Sequence, residues 1–296
     1  MTMPAMQRLL SFGHGYSARA LARGLKARGW QVAGTSRTAE GAHRLVAQGV
    51  EGPQGVEGHV FNRSTPLDPA VLAGVTHVVI SIPPDEVGDP VLDLHGAALA
   101  RLPTLRWLAY LSTTGVYGDR GGDWVDETSD LRPANVRGQR RVAAEAGWRA
   151  LWQQQGLPAH VFRLAGIYGP GRSQIDSVRD GSAKRTFKEG QVFSRIHVED
   201  IAAVLAASIA RPRPGAIYNV CDDEASAPWE VVEFACTLLG APVPPLVPLD
   251  EANLSEMGRS FYAENKRVRN TLLHSELEVS LAYPSYREGL RALARV

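Results

Sequence analysis

Cysteine is scarce: Cys221 and Cys236 are the only two in 296 residues, and neither lies in a C-x-x-C pair or a Cys/His cluster. That excludes a disulfide scaffold and a zinc site of ordinary spacing, and reads as two buried free thiols in a reducing cytoplasm. Charge of one sign is not in excess either, with 32 Lys and Arg against 31 Asp and Glu. Such a balance offers nothing to nucleic acid or to an acidic surface. No apolar run approaches the roughly 18 residues that cross a bilayer, and the opening lacks a basic start followed by an apolar stretch. The expectation is therefore a cytoplasmic protein with neither membrane nor nucleic-acid partners. Repeats and low-complexity tracts are also missing. What remains is ordinary globular composition, 44% hydrophobic and 21% charged, with length for one large or two modest cores.

The informative stretch is Arg8 to Arg37. Leu9, Leu10, Ser11 and Phe12 run into Gly13, His14, Gly15, Tyr16, Ser17 and Ala18, after which apolar residues recur at Leu21, Ala22 and Leu25. This is a strand, a glycine turn and a helix, with Gly29 as its stop and a second strand over Gln31 to Thr35. Gly13, Gly15 and Ala18 fit the G-x-G-x-x-G/A spacing of a dinucleotide site. Gly13 would make the tight turn, Gly15 would let backbone approach a diphosphate, and Ala18 would let helix and strand pack closely. One carboxylate is missing here. An NAD site usually carries Asp or Glu about 20 residues past the glycines, whereas this chain has Thr35, Ser36, Arg37 and Thr38. A guanidinium where a 2′-phosphate would sit favours NADP(H), with NAD as the alternative.

Further along, a helix is expected over 41–48 and a third strand over 55–61. Asn62 stands either against an adenine edge or in a turn. Thr76 to Ser81 reads as a strand buried on both faces, ended by Pro83 and Pro84. Asp89 to Ala100 reads as a helix with an inward stripe of Val91, Leu94 and Ala98, and Arg106 to Leu111 as the next strand. Alternation of strands and helices gives α/β class, a Rossmann-type doubly wound parallel sheet. His197, Glu199 and Asp200 read as a capped helix start beside a packing histidine, so no metal is expected.

Ser112-Thr113-Thr114-Gly115-Val116-Tyr117-Gly118-Asp119, Asp126-Glu127, Pro133, Arg163-Leu164-Ala165-Gly166-Ile167-Tyr168-Gly169-Pro170-Gly171, Arg195-Ile196-His197-Val198-Glu199-Asp200 and Tyr218-Asn219-Val220 fall in one order. In that order the chain resembles the extended short-chain dehydrogenase/reductase family, the NAD(P)-dependent epimerase/dehydratase type, across nearly its whole length. The resemblance implies a nucleotide-binding domain over 1–165 with return segments near 198–222. It implies a smaller C-terminal substrate-binding subdomain over 166–197 and 223–296, in which the run from Pro242 to Pro248 reads as a linker or surface segment. Cofactor contacts are implied for the loop residues Gly13, His14, Gly15, Tyr16 and Ser17, for Ser36, Arg37, Thr38 and Asn62, and for Ser81, Ile82, Pro83, Ser112, Arg141 and Leu164.

The family's chemistry needs a Tyr and, four residues later, a Lys, helped by a Ser or Thr. Here those positions are Arg137 and Arg141, with Thr113 at the hydroxyl position. A guanidinium keeps its proton and cannot serve as a base. The chain thus resembles the atypical, YeeZ-like branch, described as predicted epimerases or dehydratases. Tyr117 is a second catalytic candidate beside Thr113, and Asp126 and Glu127 are loop carboxylates to weigh with it. Arg137 and Arg172 are candidates to hold an anionic or nucleotide-linked small-molecule substrate. Two functions stay open: an NADP-dependent epimerase, dehydratase or reductase, and a redox sensor that binds NADP(H) without turnover. The protein is expected as a monomer or homodimer. Replacing Arg37 with Asp is expected to abolish the preference for NADP(H) over NAD(H), measured as the two affinities; an unchanged preference would remove the argument.

Overall fold

The computed structural model describes residues 6–48 and 55–295. The chain divides into two compact units. The first comprises Met1–Ser112, Gln139–Phe162 and Ala202–Ile217, and the second Thr113–Gly138, Arg163–Ile201 and Tyr218–Val296.

The first unit opens with β1 (Arg8–Phe12), α1 (Tyr16–Lys26), β2 (Gln31–Ser36), α2 (Ala39–Gln48), β3 (Val56–Val60), β4 (His77–Ile80), α3 (Pro90–Ala100) and β5 (Trp107–Thr113). The chain goes on through β6 (Trp124–Val125), α4 (Val136–Gln155), β7 (Ala159–Leu164), β8 (Gly166–Tyr168), α5 (Gln174–Arg179), β9 (Arg185–Phe187), β10 (Arg195–His197), α6 (Val198–Ala210) and β11 (Ile217–Val220). It closes with α7 (Pro228–Leu239), β12 (Leu246–Pro248), α8 (Glu256–Phe261), β13 (Arg267–Val268), α9 (Thr271–Ser275) and α10 (Tyr286–Ala294). Seven strands form one sheet in the order β11-β7-β5-β4-β1-β2-β3, and β1–β2, β1–β4, β2–β3 and β4–β5 pair parallel. The order turns back at β1, which is the doubly wound plan, and it sets the switch point between β1 and β4.

Sequence pattern explains the layers. All four residues of β4 are buried, as a strand covered on both faces by helices requires. Ala18, Leu21, Ala22 and Leu25 form the inward stripe of α1. One side of the first unit's core gathers Leu10, Phe12, Phe61, Val78, Ile80, Leu108, Tyr110, Trp148 and Val161. The α3 stripe differs from expectation: Leu94 is 38% exposed while Val91, His95 and Leu99 face inward. His95 takes the inward place because its Nε2 accepts the Leu67 N–H while its ring lies 5.7 Å from Phe12. A histidine so satisfied packs as an aromatic.

A polar cluster fixes α4 inside the first unit. Asp89 caps α3 through Val91 and Leu92 N–H and also accepts from Trp148 Nε1 at 3.2 Å. Burial pushes the Asp89 carboxyl up, and the capping N–H groups, Trp148 and Arg141 oppose that. Ser112 Oγ donates to the buried Glu145.

The second unit has its own core of Tyr168, Ile175, Val231, Ala235, Tyr286, Leu290 and Leu293. Its two-stranded ladders are β8–β10, β9–β12 and β6–β13, so part of the proline-rich run from 242 to 248 is strand. Asp200 in α6 accepts from Ala282 and Tyr283 N–H and so anchors the closing segment. Among the described residues, no helix is long and apolar enough to cross a membrane. Both cysteines are buried and free.

Gly118 is held at φ +69°, and a Cβ there would stand 1.8 Å from Arg132 O. Gly74, at φ +71°, has open space around it. Gly118→Ala is expected to cost about 3 kcal/mol or more and Gly74→Ala about 1 kcal/mol, read from denaturant unfolding, since only the first adds a backbone collision to left-handed strain.

Candidate nucleotide-binding site

The glycine loop takes its shape from its neighbours. Gly13 has φ +81°, and a Cβ on it would lie 2.9 Å from both Ile82 Cγ1 and Ser81 Oγ. Its N–H donates to Thr35 Oγ1 at 2.9 Å, and His14 N–H donates to Thr35 O at 3.0 Å. Ser81 Oγ donates to Gly13 O. Thus Gly13, Ser81 and Ile82, picked out in the sequence, come together in the first unit, and Thr35 holds Gly13 and His14.

The start of α1 is open chemically as well as sterically. Gly15 occupies the cap with no side-chain hydrogen bond, the first turn holds no acidic residue, and a Cβ on Gly15 would meet nothing within 4 Å. A helix start without a side-chain cap, and with its dipole uncompensated, favours an anion. Ala18 is fully buried and Ser17 nearly so, which seats the helix closely on the sheet. The loop thereby fits a diphosphate.

At the end of β2, Thr35 is buried, Ser36 half-buried and Arg37 exposed. The Arg37 guanidinium has no hydrogen-bond or ion-pair partner among the described residues. Thr38 Oγ1 accepts the Gly41 N–H at 3.1 Å. The hydrogen bonds of Asn62 are those of a turn: Oδ1 accepts from Ser64 and Thr65 N–H, and Nδ2 donates to Arg37 O at 3.0 Å. Next to it Arg63 pairs with Asp85 and Asp93, holding the Asp85 carboxyl down at about 2 and fixing the segment after Pro83 and Pro84.

The remaining candidates lie elsewhere. Arg141 Nη1 donates to Tyr110 OH at 3.0 Å and to Leu111 O at 2.7 Å. In the second unit, Thr113 Oγ1 accepts the Gly115 N–H at 3.1 Å and starts a tight turn over Thr114–Tyr117. Its own hydroxyl proton has no acceptor among the described residues. Tyr117 is fully buried; it donates to Asn219 Oδ1 at 2.7 Å and receives Arg163 Nη1 at 2.9 Å. Burial pushes this phenol up to about 12, against the pull of Arg163. Glu127 accepts the Asn219 N–H at 2.7 Å, and Asp126 caps its own loop through Thr128. Leu164 is buried, whereas Arg137 and Arg172 are exposed. His197 packs between Tyr168 and Tyr283 at 5.1 and 4.0 Å.

Three further residues shape the loop without standing out in the sequence: Ser11, Gly34 and Thr35. Ser11 Oγ lies 2.6 Å from His14 Nδ1, and Gly34 leaves room for that ring. Their signal is small residues on paired strands, with Ser11 opposite Gly34 in the β1–β2 register, which becomes visible only once the pairing is known.

Residues 91–221 match the model of the NAD dependent epimerase/dehydratase family. Protein YeeZ of Escherichia coli K12 is 29% identical over 278 residues, 90% of this chain and 94% of YeeZ. A conserved protein of Silicibacter pomeroyi DSS, described as functionally unknown, is 52% identical with a TM-score of 0.88, covering 98% of this chain and 99% of its own. The dTDP-glucose 4,6-dehydratase of Bacillus anthracis, solved with NAD, shares the fold at TM-score 0.75 and 18% identity, over 98% of this chain and 96% of its own. Over residues 91–221 the chain is thus similar to the NAD dependent epimerase/dehydratase family, and over 90% of its length to YeeZ.

Proposed function

We propose that the chain binds NADP(H) and acts as an epimerase, dehydratase or reductase on a small anionic or nucleotide-linked substrate. The observation that carries the reading is the open start of α1 beside a β2 end that has Arg37 and no carboxylate. The bound nicotinamide would supply hydride transfer. Gly13 to Ser17 would hold its diphosphate, with Ser36, Arg37 and Thr38 at the 2′-phosphate. Ser81, Ile82 and Pro83 would line the path toward the ring, and Ser112, Arg141 and Leu164 its far end. In the second unit, taken as the substrate-binding part, the uncommitted hydroxyl proton of Thr113 would polarise a substrate oxygen. Arg137 and Arg172 would hold the substrate's charge. Tyr117 keeps its proton in this reading, because burial raises its pKa and Asn219 already accepts from it.

A second reading is a sensor of nicotinamide redox state without turnover. It is favoured by the arginines at the family's Tyr and Lys positions and by the engagement of Arg141 Nη1 with Tyr110 and Leu111.

Thermal stabilisation by NADPH, NADP, NADH and NAD is expected to be largest for the phosphorylated pair. Native-state stability should rise by about 2.7 kcal/mol when a ligand is present at a hundred times its Kd. Equal or absent shifts would sink the cofactor reading. Thr113→Ala is expected to lower turnover of a responsive carbonyl substrate about a hundredfold with cofactor affinity kept, measured by nicotinamide absorbance. Full activity in that variant removes Thr113 from the chemistry. No turnover in the wild-type protein, together with a strong preference for one oxidation state, selects the sensor.

A further inference from the structure

At the end of β2 the main chain is held at three successive residues. Phe61 N–H donates to Ser36 O at 2.8 Å, and Asn62 Nδ2 donates to Arg37 O at 3.0 Å. Thr38 accepts the Gly41 N–H at its hydroxyl and the Ala42 N–H at its carbonyl. Glu40, in the first turn of α2, pairs with Arg44 at 3.2 Å. That leaves the Arg37 guanidinium without a partner among the described residues. The Asn62 amide that makes the middle contact is itself fixed. Its Oδ1 accepts from Ser64 N–H at 3.0 Å, from Thr65 N–H at 2.9 Å and from the Ser64 hydroxyl at 3.0 Å. Only an oxygen can serve those backbone donors, so the nitrogen end faces Arg37 O. Arg63, next in the chain, anchors the same turn to the segment after β4 through Asp85 at 2.9 Å and to α3 through Asp93 at 2.7 Å. Such a turn needs only the side-chain oxygen, and Asp would close it equally well. The amide nitrogen is spent on a carbonyl 25 residues earlier, which the turn does not require.

We propose that Asn62 is a positioning residue for cofactor selection that acts through Arg37: by holding the Arg37 carbonyl it fixes the backbone from which the guanidinium reaches the 2′-phosphate of NADP(H). The inference rests on reading the glycine loop and the end of β2 as an NADP(H) site. An arginine on a free loop end has both its backbone and its long side chain to order when a phosphate binds; with the backbone already held, only the side chain remains. Preorganisation of this kind strengthens binding by lowering its cost, without adding a contact to the ligand. In this role Asn62 touches neither the ribose nor the phosphate, so its effect falls on the phosphorylated cofactor and vanishes when Arg37 is gone.

The test uses 2′,5′-ADP and 5′-ADP as probes, titrated calorimetrically into the full chain. Asn62→Ser keeps a hydroxyl to accept within the turn and loses the donor to Arg37 O; Arg37→Ala removes the guanidinium, and the double variant completes the cycle. Wild type is expected to prefer 2′,5′-ADP. Asn62→Ser should weaken that probe about fivefold and 5′-ADP less than about twofold. Arg37→Ala should weaken 2′,5′-ADP at least about tenfold, and adding Asn62→Ser to it should cost less than about twofold more. An unchanged preference in Asn62→Ser, equal losses for both probes, or a loss that persists in full without Arg37 would each overturn the role of Asn62 while leaving the NADP(H) reading in place. Wild-type protein that binds neither probe, or both equally, overturns that reading and the proposal with it, as does a preference that survives Arg37→Ala. If Asn62→Ser lacks a cooperative melt, Asn62→Asp takes its place, and the same cycle with Arg37→Ala subtracts the effect of the added charge.

Discussion

Thr35 bonds twice to the loop between β1 and α1, through its hydroxyl to Gly13 N–H and through its carbonyl to His14 N–H. The shape of the glycine loop depends on that pair of contacts. A glycine turn left to itself samples many shapes, and ordering each residue costs on the order of 1 kcal/mol. Here the fold itself offsets that cost, since β2 grips the loop from one side and Ser81, just past β4, from the other. The start of α1 thus stays fixed and uncapped. A preformed set of donors binds an anion without having to be ordered at the moment of binding.

The same logic separates the hydroxyls at the end of β5. Ser112 and Thr113 are adjacent, yet Ser112 commits its proton to buried Glu145 while Thr113 only accepts, from Gly115 N–H. Alternation along a strand puts the first toward the helix layer and leaves the second at the turn. Tyr117, four residues on, is committed to Asn219 and Arg163 and braces the turn from within the second unit. The end of β5 and the turn after it therefore carry a committed hydroxyl, one whose proton has no acceptor among the described residues, and a buried phenol.

Much of this is legible in the chain itself. The helical stripe of α1 and the apolar run of β4 specify layers and class because each has one compatible environment. Arg37 stands out because the missing carboxylate is a local absence. The α3 face departs from its expected stripe because a histidine counts as polar in an apolar pattern, whereas the Nε2 of His95 is satisfied by Leu67 N–H and its ring packs on Phe12 and Phe61. Asn62 is ambiguous in sequence for a related reason. Its amide serves equally for a base edge or a turn, and only the partners Ser64, Thr65 and Arg37 tell which. Ser11 and Gly34 are silent because strand register is a long-range property that periodicity does not encode.

The arginines at 137 and 141 differ in surroundings although they are one helical turn apart. Arg137 is exposed, while Arg141 lies 5.5 Å from the Tyr110 ring and donates to the Tyr110 hydroxyl and the Leu111 carbonyl at the end of β5. Both hydrogen bonds leave the same nitrogen, Nη1, so the guanidinium reaches the end of β5 through one arm. Within the first unit the guanidinium also offsets Asp89, whose carboxyl is buried at the start of α3. Arg141 therefore ties α4 to the end of β5. That is a structural role for a cation at this position whether or not the chain turns over a substrate.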